Sequence, residues 1–339
     1  MSAKKVVLMN HTDMLGHHFG CARVMRLIEA GLEGRGCRIS GRIDGKLDWR
    51  QDRVSLSMLA DCDAIVINGE GTLHHGRKKA GWLMDVARHA VTRDKELALV
   101  NALYQENPTD WAPLAARFAH LYARDSRSGA ALSRHAGRPV TWFGDLSTSA
   151  GALADTVGRQ GIIVGDSVSA AATALLAELA QDMAFHQKVR LVPLTVSLRE
   201  ENPYRPWLIR RFRRQVVALR QKRIQRRYPL LSYLGSEAEY LDLLRSSQLS
   251  VTGRFHGVCL NLVTCTPFVC VSSNSWKIEA LFEDAGLDPR RLLPRESLTV
   301  ETILGNDWRF STTETAKIAR FLERSVAGAT AMFDAIAGA

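Results

Sequence analysis

Two successive doubly wound α/β domains, Rossmann-like and facing each other across a cleft, are what this 339-residue chain predicts. Short β-branched apolar runs alternate with helical-period segments through its first half, the rhythm of a parallel sheet covered by helices on both faces. The same rhythm restarts around residues 151–160. The length is too great for one ordinary core and comfortable for two of about 150 residues.

The elements follow in order. "KKVVLMN" (4–10) reads as a strand that ends in the polar loop "HTDMLGHHFG". "CARVMRLIEAGLEGRG" carries apolar positions at helical spacing and closes on glycines. "CRISGRI" is a second strand, "VSLSMLADC" a helix, "AIVING" a third strand and "GWLMDVARHAVTRD" a helix. "LALVNALYQ" (97–105) is a fourth strand and "PLAARFAHL" a helix. "LYARDSRS" is a strand running into a turn, and "SRHAGRPVTWFGDLS" a short strand with its loop. In the second half, "GIIVGD" (161–166), "VRLVPLTVS" (189–197), "LSVTGRF" and "PFVCVSS" read as strands. The intervening "AAATALLAELAQDMAFHQ", the basic stretch 205–227, "EAEYLDLLRSSQ", "HGVCLNLVTC" and "SWKIEALFEDAGL" read as helices. Residues 1–155 and 156–311 form the two domains, and a closing helix in 312–339 is long enough to return to the first. This is a glycosyltransferase-B-like (GT-B-like) plan, whose site is expected between the domains.

Composition narrows the function. No apolar stretch approaches the ~18 residues of a membrane span. The N-terminal "MSAKKVVLMNHTD" has only a four-residue apolar run, too short for a signal-peptide core, so a cytosolic chain is expected. Cys21, Cys37, Cys62, Cys259, Cys265 and Cys270 show no CxxC or CxxH spacing, and the histidines form no HExxH, so no metal is expected. The net charge of +10 has a local origin: residues 205–227 hold nine arginines and one lysine with no acid, and the rest of the chain is neutral.

One block is specific. "TGRFHGVCLNLVTCTPFVCVSSNSWKIEALFEDAGL" (252–287) sets Arg254, Phe255, His256 and Gly257 at a strand end, then an apolar helix, Pro267 before a strand, and Lys277 on a helix ending Glu283-Asp284-Ala285-Gly286-Leu287. It resembles the polysaccharide pyruvyl transferase family. "NGEGTLHH" is similar to that family's glycine-rich loop, "YARDSRS" to its Arg-Asp-x-x-Ser element and "GDLS" (144–147) to the aspartate that follows. The resemblance implies transfer of an enolpyruvyl group from phosphoenolpyruvate, without a cofactor, to form a ketal on a cell-surface, lipid-linked polysaccharide. It makes the first domain the acceptor side and the second the donor side. It gives Arg254 the donor's phosphate or carboxylate and His256 the role of acid. The chain departs at "VGDSVSAAA", where the family's Ser-x-Arg is absent; Ser197-Leu198-Arg199 comes one strand later, so Arg199 is the candidate replacement for donor binding.

The residues support these roles on their own physics. Arg254 and His256 lie two apart on an extended chain and point to one side. The helix that follows puts His256 and Gly257 where backbone N–H groups and the helix dipole favour an anion; a salt bridge and a helix cap are the plainer alternative. In "GEGTLHHG" (69–76), Glu70 is a candidate general base for a sugar hydroxyl, His74 a second proton-transfer group and His75 an acceptor contact. Thr72 is a candidate helix cap there. Asn10, His11, Asp13, His17 and His18 follow the first strand, and Tyr104 and Gln105 the fourth, all as acceptor-side candidates. Ser272, Ser273, Asn274 and Lys277 follow the last core strand as donors to an anion, with capping by Asn274 or Ser275 as the alternative. Paired serines with an earlier histidine are also similar to transferases of cytidine-monophosphate sugars (sialic acid or Kdo), so a glycosyltransferase is the competing expectation.

The basic helix carries Leu208, Phe212, Val216 and Leu219 near one stripe. With Trp207, Arg210, Arg211, Phe212 and Arg214 as contacts, it suits an anionic membrane surface, peripheral at the inner face of the cytoplasmic membrane. An anionic glycan is the alternative; no nucleic-acid motif accompanies it. Oligomeric state is left open.

Overall fold

The computed structural model describes residues 3–153, 158–199, 201–272 and 275–338. The first sheet has six strands: β1 (Lys5–His11), β2 (Arg38–Asp44), β3 (Ala64–Glu70), β4 (Glu96–Ala102), β5 (His120–Ala123) and β6 (Thr141–Trp142). They lie in the order β2-β1-β3-β4-β5-β6, and every pairing is parallel. The helices between them are α1 (Phe19–Glu33), α2 (Arg53–Ala60), α3 (Lys78–Met84), α4 (Ala112–Ala116) and α5 (Ser126–Ala136). The second sheet holds β7 (Ile162–Ser167), β8 (Val189–Leu191), β9 (Leu249–Gly253), β10 (Phe268–Val271) and β11 (Leu292–Leu293) in the order β11-β10-β9-β7-β8, again parallel. Its helices are α6 (Ala170–Met183), α7 (Trp207–Arg227), α8 (Glu237–Ser246), α9 (Phe255–Val263), α10 (Lys277–Ala285) and α11 (Val300–Leu304), and α12 (Thr312–Ala337) closes the chain. The 155/156 boundary read from the sequence lies outside the described residues.

β3 is buried at all seven positions, as a central strand covered on both faces must be. Ile65 and Ile67 face one apolar cluster with Leu97, Leu99 and Phe118. Ala64 and Val66 face the other, with Val24, Ile28 and Leu32 of α1. That second cluster also contains Ala329, Met332, Phe333 and Ile336 of α12, while Ile318, Phe321 and Leu322 of the same helix pack in the second domain. One helix therefore spans both cores, each buried side chain contributing about 2 kcal/mol. Gly328 permits the crossing, because a Cβ there would stand 2.6 Å from the Phe143 ring. Ser311 starts the helix by accepting from the amide of Glu314 at 3.1 Å.

Three local expectations change. The helix read over 81–94 stops at Met84 and continues as two 3-10 turns, where the His89 ring accepts from the Val91 amide at 3.2 Å. Helix α5 takes in "SRHA" before Gly137 ends it in a left-handed turn, leaving only Thr141–Trp142 as strand. The strand read over 189–197 is three residues long; Pro193, lacking an N–H, falls just beyond it. Among the described residues no helix is long and apolar enough to cross a membrane.

Candidate active site

The carboxyl ends of β1, β3 and β4 carry three non-glycine residues with left-handed backbone: Asn10 (φ 57°), Glu70 (φ 30°) and Asn101 (φ 54°). Such conformations cost of order 1–3 kcal/mol and persist where surrounding contacts over-determine them. Here they do. Asn10 donates to Asn68 O at 2.6 Å and to Thr72 Oγ1 at 3.0 Å, and Asn101 accepts from the Leu146 amide at 3.0 Å. The buried Glu70 carboxylate accepts from Thr12 Oγ1 (2.5 Å), Asn68 Nδ2 (3.0 Å) and Cys21 Sγ (3.0 Å). Burial and the Glu70 charge push the Cys21 thiol well up, so it stays a donor.

Across from Glu70, α9 begins. Arg254 occupies its N-cap and His256 its first turn. His256 Nε2 lies 3.8 Å from Glu70 Oε1 and 3.7 Å from Asp145 Oδ1, buried and with no hydrogen-bond partner among the described residues. Its ring meets His18 edge to face at 5.4 Å and rests on Gly20, where a Cβ would come within 2.3 Å of Cγ. His18 Nδ1 accepts from the Cys21 amide, capping α1. Burial, then the nearby His256 and Arg254, hold the His18 pKa well below the usual range, so the ring is neutral. Asp145 is fully buried; burial raises its carboxyl, but His256 and Arg124 outweigh that and leave it below the ordinary value.

Three cations complete the cluster. Arg254 binds Asp166 Oδ2 through Nε at 2.9 Å and also through Nη2; Asp166 in turn accepts from the Leu194 amide at 3.1 Å. Arg124 is buried with its guanidinium 4.3 Å over the Phe255 ring and 3.5 Å from Asp145, and its Nε and Nη2 have no hydrogen-bond partner among the described residues. Lys277, at the start of α10, is pushed down to about 8 by burial and by the like charges of Arg124 and Arg254. A buried guanidinium with two unmet N–H groups beside a desolvated ammonium is a receptor for an anion.

The structure brings Glu70, Arg254, His256, Lys277 and His18 together, and sets His74 beside them. His74 is buried and pushed down to about 4 by burial and by Arg77, His75, Lys277 and Arg124. Its ring is therefore neutral at pH 7, able to accept a proton rather than arriving with one to give. Asp13 accepts from the amides of His17 (2.7 Å) and His18 (2.6 Å) and so shapes its own loop rather than meeting a sugar. Tyr104 lies in the first domain's core with its hydroxyl on His135 Nδ1 at 2.6 Å. Gln105 bridges loops, its carbonyl accepting from His75 and its side chain from the Trp276 amide. His75 pairs with Glu106 at 2.8 Å. Thr72 caps no helix, since α3 begins at Lys78. Gly257 serves packing, because a Cβ would stand 2.5 Å from Thr252 Oγ1, while its amide belongs to the open first turn of α9. Ser272 is exposed at the end of β10; Ser273 and Asn274 lie outside the described residues.

Arg199 does not reach Arg254. It lines a separate cavity with His17, Arg210, Arg213 and Arg214. Arg210 and Arg214 pair with Glu201 at 2.7 and 3.1 Å, and the Arg214 side chain stays exposed. Trp207, Arg211 and Phe212 are exposed. The missed residues are Cys21, Arg124, Asp145 and Asp166. Arg124 and Asp145 carried a signal, each following a predicted strand in a family-like element; Cys21 carried none.

His18, Cys21 and His256 offer ligand atoms within 4.8 Å of one another, a grouping that spacing alone did not predict. The thiol proton is committed to Glu70, and Arg124, Arg254 and Lys277 crowd the same space, so the charge there favours an anion over a cation.

A family model described as "Polysaccharide pyruvyl transferase" matches residues 103–275, just over half of the chain. None of the curated proteins matches it. Among solved structures, the chain is similar to one titled as a UDP-N-acetylglucosamine 2-epimerase from Listeria monocytogenes, at 12% identity and a TM-score of 0.56, covering 98% of this chain and 94% of that one. A UDP-GlcNAc 2-epimerase from Methanocaldococcus jannaschii follows at 11% identity, a TM-score of 0.49, and 94% and 98% coverage. The T4 phage protein titled BGT, in complex with UDP and Mn2+, stands at 10% identity, a TM-score of 0.43 and 98% coverage of both chains. At these identities the likeness shows the GT-B-like fold alone.

Proposed function

The chain belongs to the polysaccharide pyruvyl transferase family, and from that premise we propose that it moves the enolpyruvyl group of phosphoenolpyruvate onto a saccharide, closing a ketal across two hydroxyls. The observation that carries this reading is the buried Arg124, with two unmet N–H groups, facing the space shared by Lys277, Arg254, His256 and Glu70. Phosphoenolpyruvate brings a carboxylate and a phosphate to match those cations.

In this reading His256, protonated, delivers its proton to the methylene carbon, and the adjoining carbon becomes electrophilic. Glu70 takes the proton of the attacking hydroxyl, forming the first C–O bond. The C–O bond to phosphate then breaks, phosphate leaving with the electron pair. The second hydroxyl adds to the same carbon and its proton goes to phosphate, while Glu70 passes the first hydroxyl's proton back to His256, 3.8 Å away, restoring both groups. Asp145, ionised and 3.7 Å from His256 Nε2, stabilises the imidazolium. Asp166 fixes Arg254 in place. We propose further that the acceptor is a lipid-linked cell-surface glycan, met at the inner face of the cytoplasmic membrane; the exposed Trp207, Arg211 and Phe212 of α7 support that location.

Thermal unfolding with phosphoenolpyruvate, cytidine monophosphate and uridine diphosphate tests the donor. A ligand at 100 times its Kd stabilises by about 2.7 kcal/mol. Stabilisation by phosphoenolpyruvate, lost in Arg124→Ala, is expected. Stabilisation by a nucleotide with indifference to phosphoenolpyruvate would make the chain a sugar transferase.

A further inference from the structure

The cavity that received Arg199 is large, about 710 Å3, and belongs to none of the chemistry above. It is one residue away from it: His18 meets the His256 ring, while His17 lines the cavity. Among the described residues, six basic side chains border it, Lys46, Arg199, Arg205, Arg210, Arg213 and Arg214, against one carboxylate, that of Glu201. That carboxylate is already engaged by Arg210 and Arg214. Arg205, then burial and Arg199, lower the Arg213 pKa, as like charges held close together do. Lys46 comes from the loop after β2 and the arginines from the second domain, so an anion here would touch both domains.

The size and the fork geometry of guanidinium point to one chemistry. The volume suits a ligand of drug size rather than a three-carbon acid. Several arginines converging from different directions match the many oxygens of linked phosphates, which accept bidentate pairs. The same helix states what else that ligand carries. No residue of α7 is buried, and Trp207, Leu208, Phe212 and Leu219 are each more than 60% exposed on its outer side. A helix with a cationic face toward a cavity and an apolar stripe toward solvent fits a molecule that is anionic at one end and apolar at the other.

We infer that the cavity bordered by α7 is a second anion site that takes a diphosphate ester, and that the outer stripe of α7 meets the apolar chain bearing it. The inference rests on the saccharide-acceptor reading, because the diphosphate would be the acceptor's linkage. It is independent of the donor's identity.

The probe is inorganic diphosphate, titrated calorimetrically into the whole protein at low and high salt. Binding to the wild type is expected, weaker at high salt, with affinity reduced about tenfold or more in Arg205→Ala/Arg213→Ala and little changed in Arg124→Ala. Stabilisation by phosphoenolpyruvate should survive the double variant, which separates failure of this site from failure of pyruvyl transfer. Absence of binding, or binding lost in Arg124→Ala and kept in the double variant, overturns the site. Sedimentation with phosphatidylglycerol vesicles decides the carrier. Co-sedimentation lost in Phe212→Ser/Leu219→Ser supports the apolar chain; vesicle binding that is absent, or indifferent to that substitution, overturns it and leaves a soluble diphosphate as the ligand. Circular dichroism establishes that both double variants fold.

Discussion

Neighbouring residues of the loop after β1 separate two regions: His18 belongs to the acid–base cluster and His17 to the cationic cavity. The cluster is buried, mixes charges of both signs, and gives its groups close polar neighbours: Cys21 for Glu70, Asp166 for Arg254, Asp145 for His256. The cavity is open and, among the described residues, its lining is mostly of one sign. Buried groups act through short-range, weakly screened interactions. Exposed ones act through a summed field that falls off within about 8 Å at physiological salt. Substitutions in the first region should therefore change the rate and its pH dependence, and those in the second should change affinity and its salt dependence.

The largest effect is expected from His256→Ala, which removes the acid. Turnover should fall about 100- to 10,000-fold while the fold is kept, as read by steady-state kinetics and circular dichroism; a loss under tenfold would dissolve the contrast between the regions. Asp145→Asn comes next. It keeps the shape but removes the negative charge beside His256, and should cost about tenfold or more in turnover, as read by steady-state kinetics. It also has a stability signature. The native state holds this carboxyl below the ordinary 3.8, so the folded protein binds fewer protons there than the unfolded chain. Its contribution is complete above that ordinary value and is lost as pH falls through the lowered one. The difference between wild type and Asp145→Asn in urea titrations should shrink across that window.

Gly20→Ala sharpens the comparison without touching a charge. The added methyl meets the His256 ring, so the imidazole must shift; about 1–3 kcal/mol of stability and a measurable share of turnover should go. Lys277 offers a smaller, titratable effect. Its ammonium is pushed down to about 8, so phosphoenolpyruvate binding should weaken as pH rises through that value, and Lys277→Arg should remove the limb. The stability sign is opposite to that of Asp145: the native state sheds this proton first, so the cost is full below about pH 8 and relaxes above it. The smallest effect belongs to the cavity. Arg210→Ala breaks an exposed pair with Glu201 and should change stability by less than about 1 kcal/mol in chemical denaturation.

Much of the fold was legible because period and composition are local. Ile65, Val66 and Ile67 announced a strand buried on both faces, and Gly69, Glu70 and Gly71 announced its end. The position of Arg254 and His256 was legible for the same reason, since they stand at the junction of a strand and a helix. Elements set by packing were not. Ser133 to Ala136 joined a helix, and the stretch from Val86 to Thr92 broke into turns, because neighbours decided between near-equal local choices.

The sequence by itself determined two parallel α/β units, the strand ends that carry chemistry and the charge concentrated in 205–227. Only the tertiary structure decided which of those strand ends meet. It alone paired Arg210 and Arg214 with Glu201, buried Tyr104 in a core, and set Asp145, Cys21 and Arg124 around His256 and Glu70. The reason is physical: periodicity reports which face of an element is apolar, whereas a protonation state or a charge partner depends on groups up to hundreds of residues away that reach the same few ångströms.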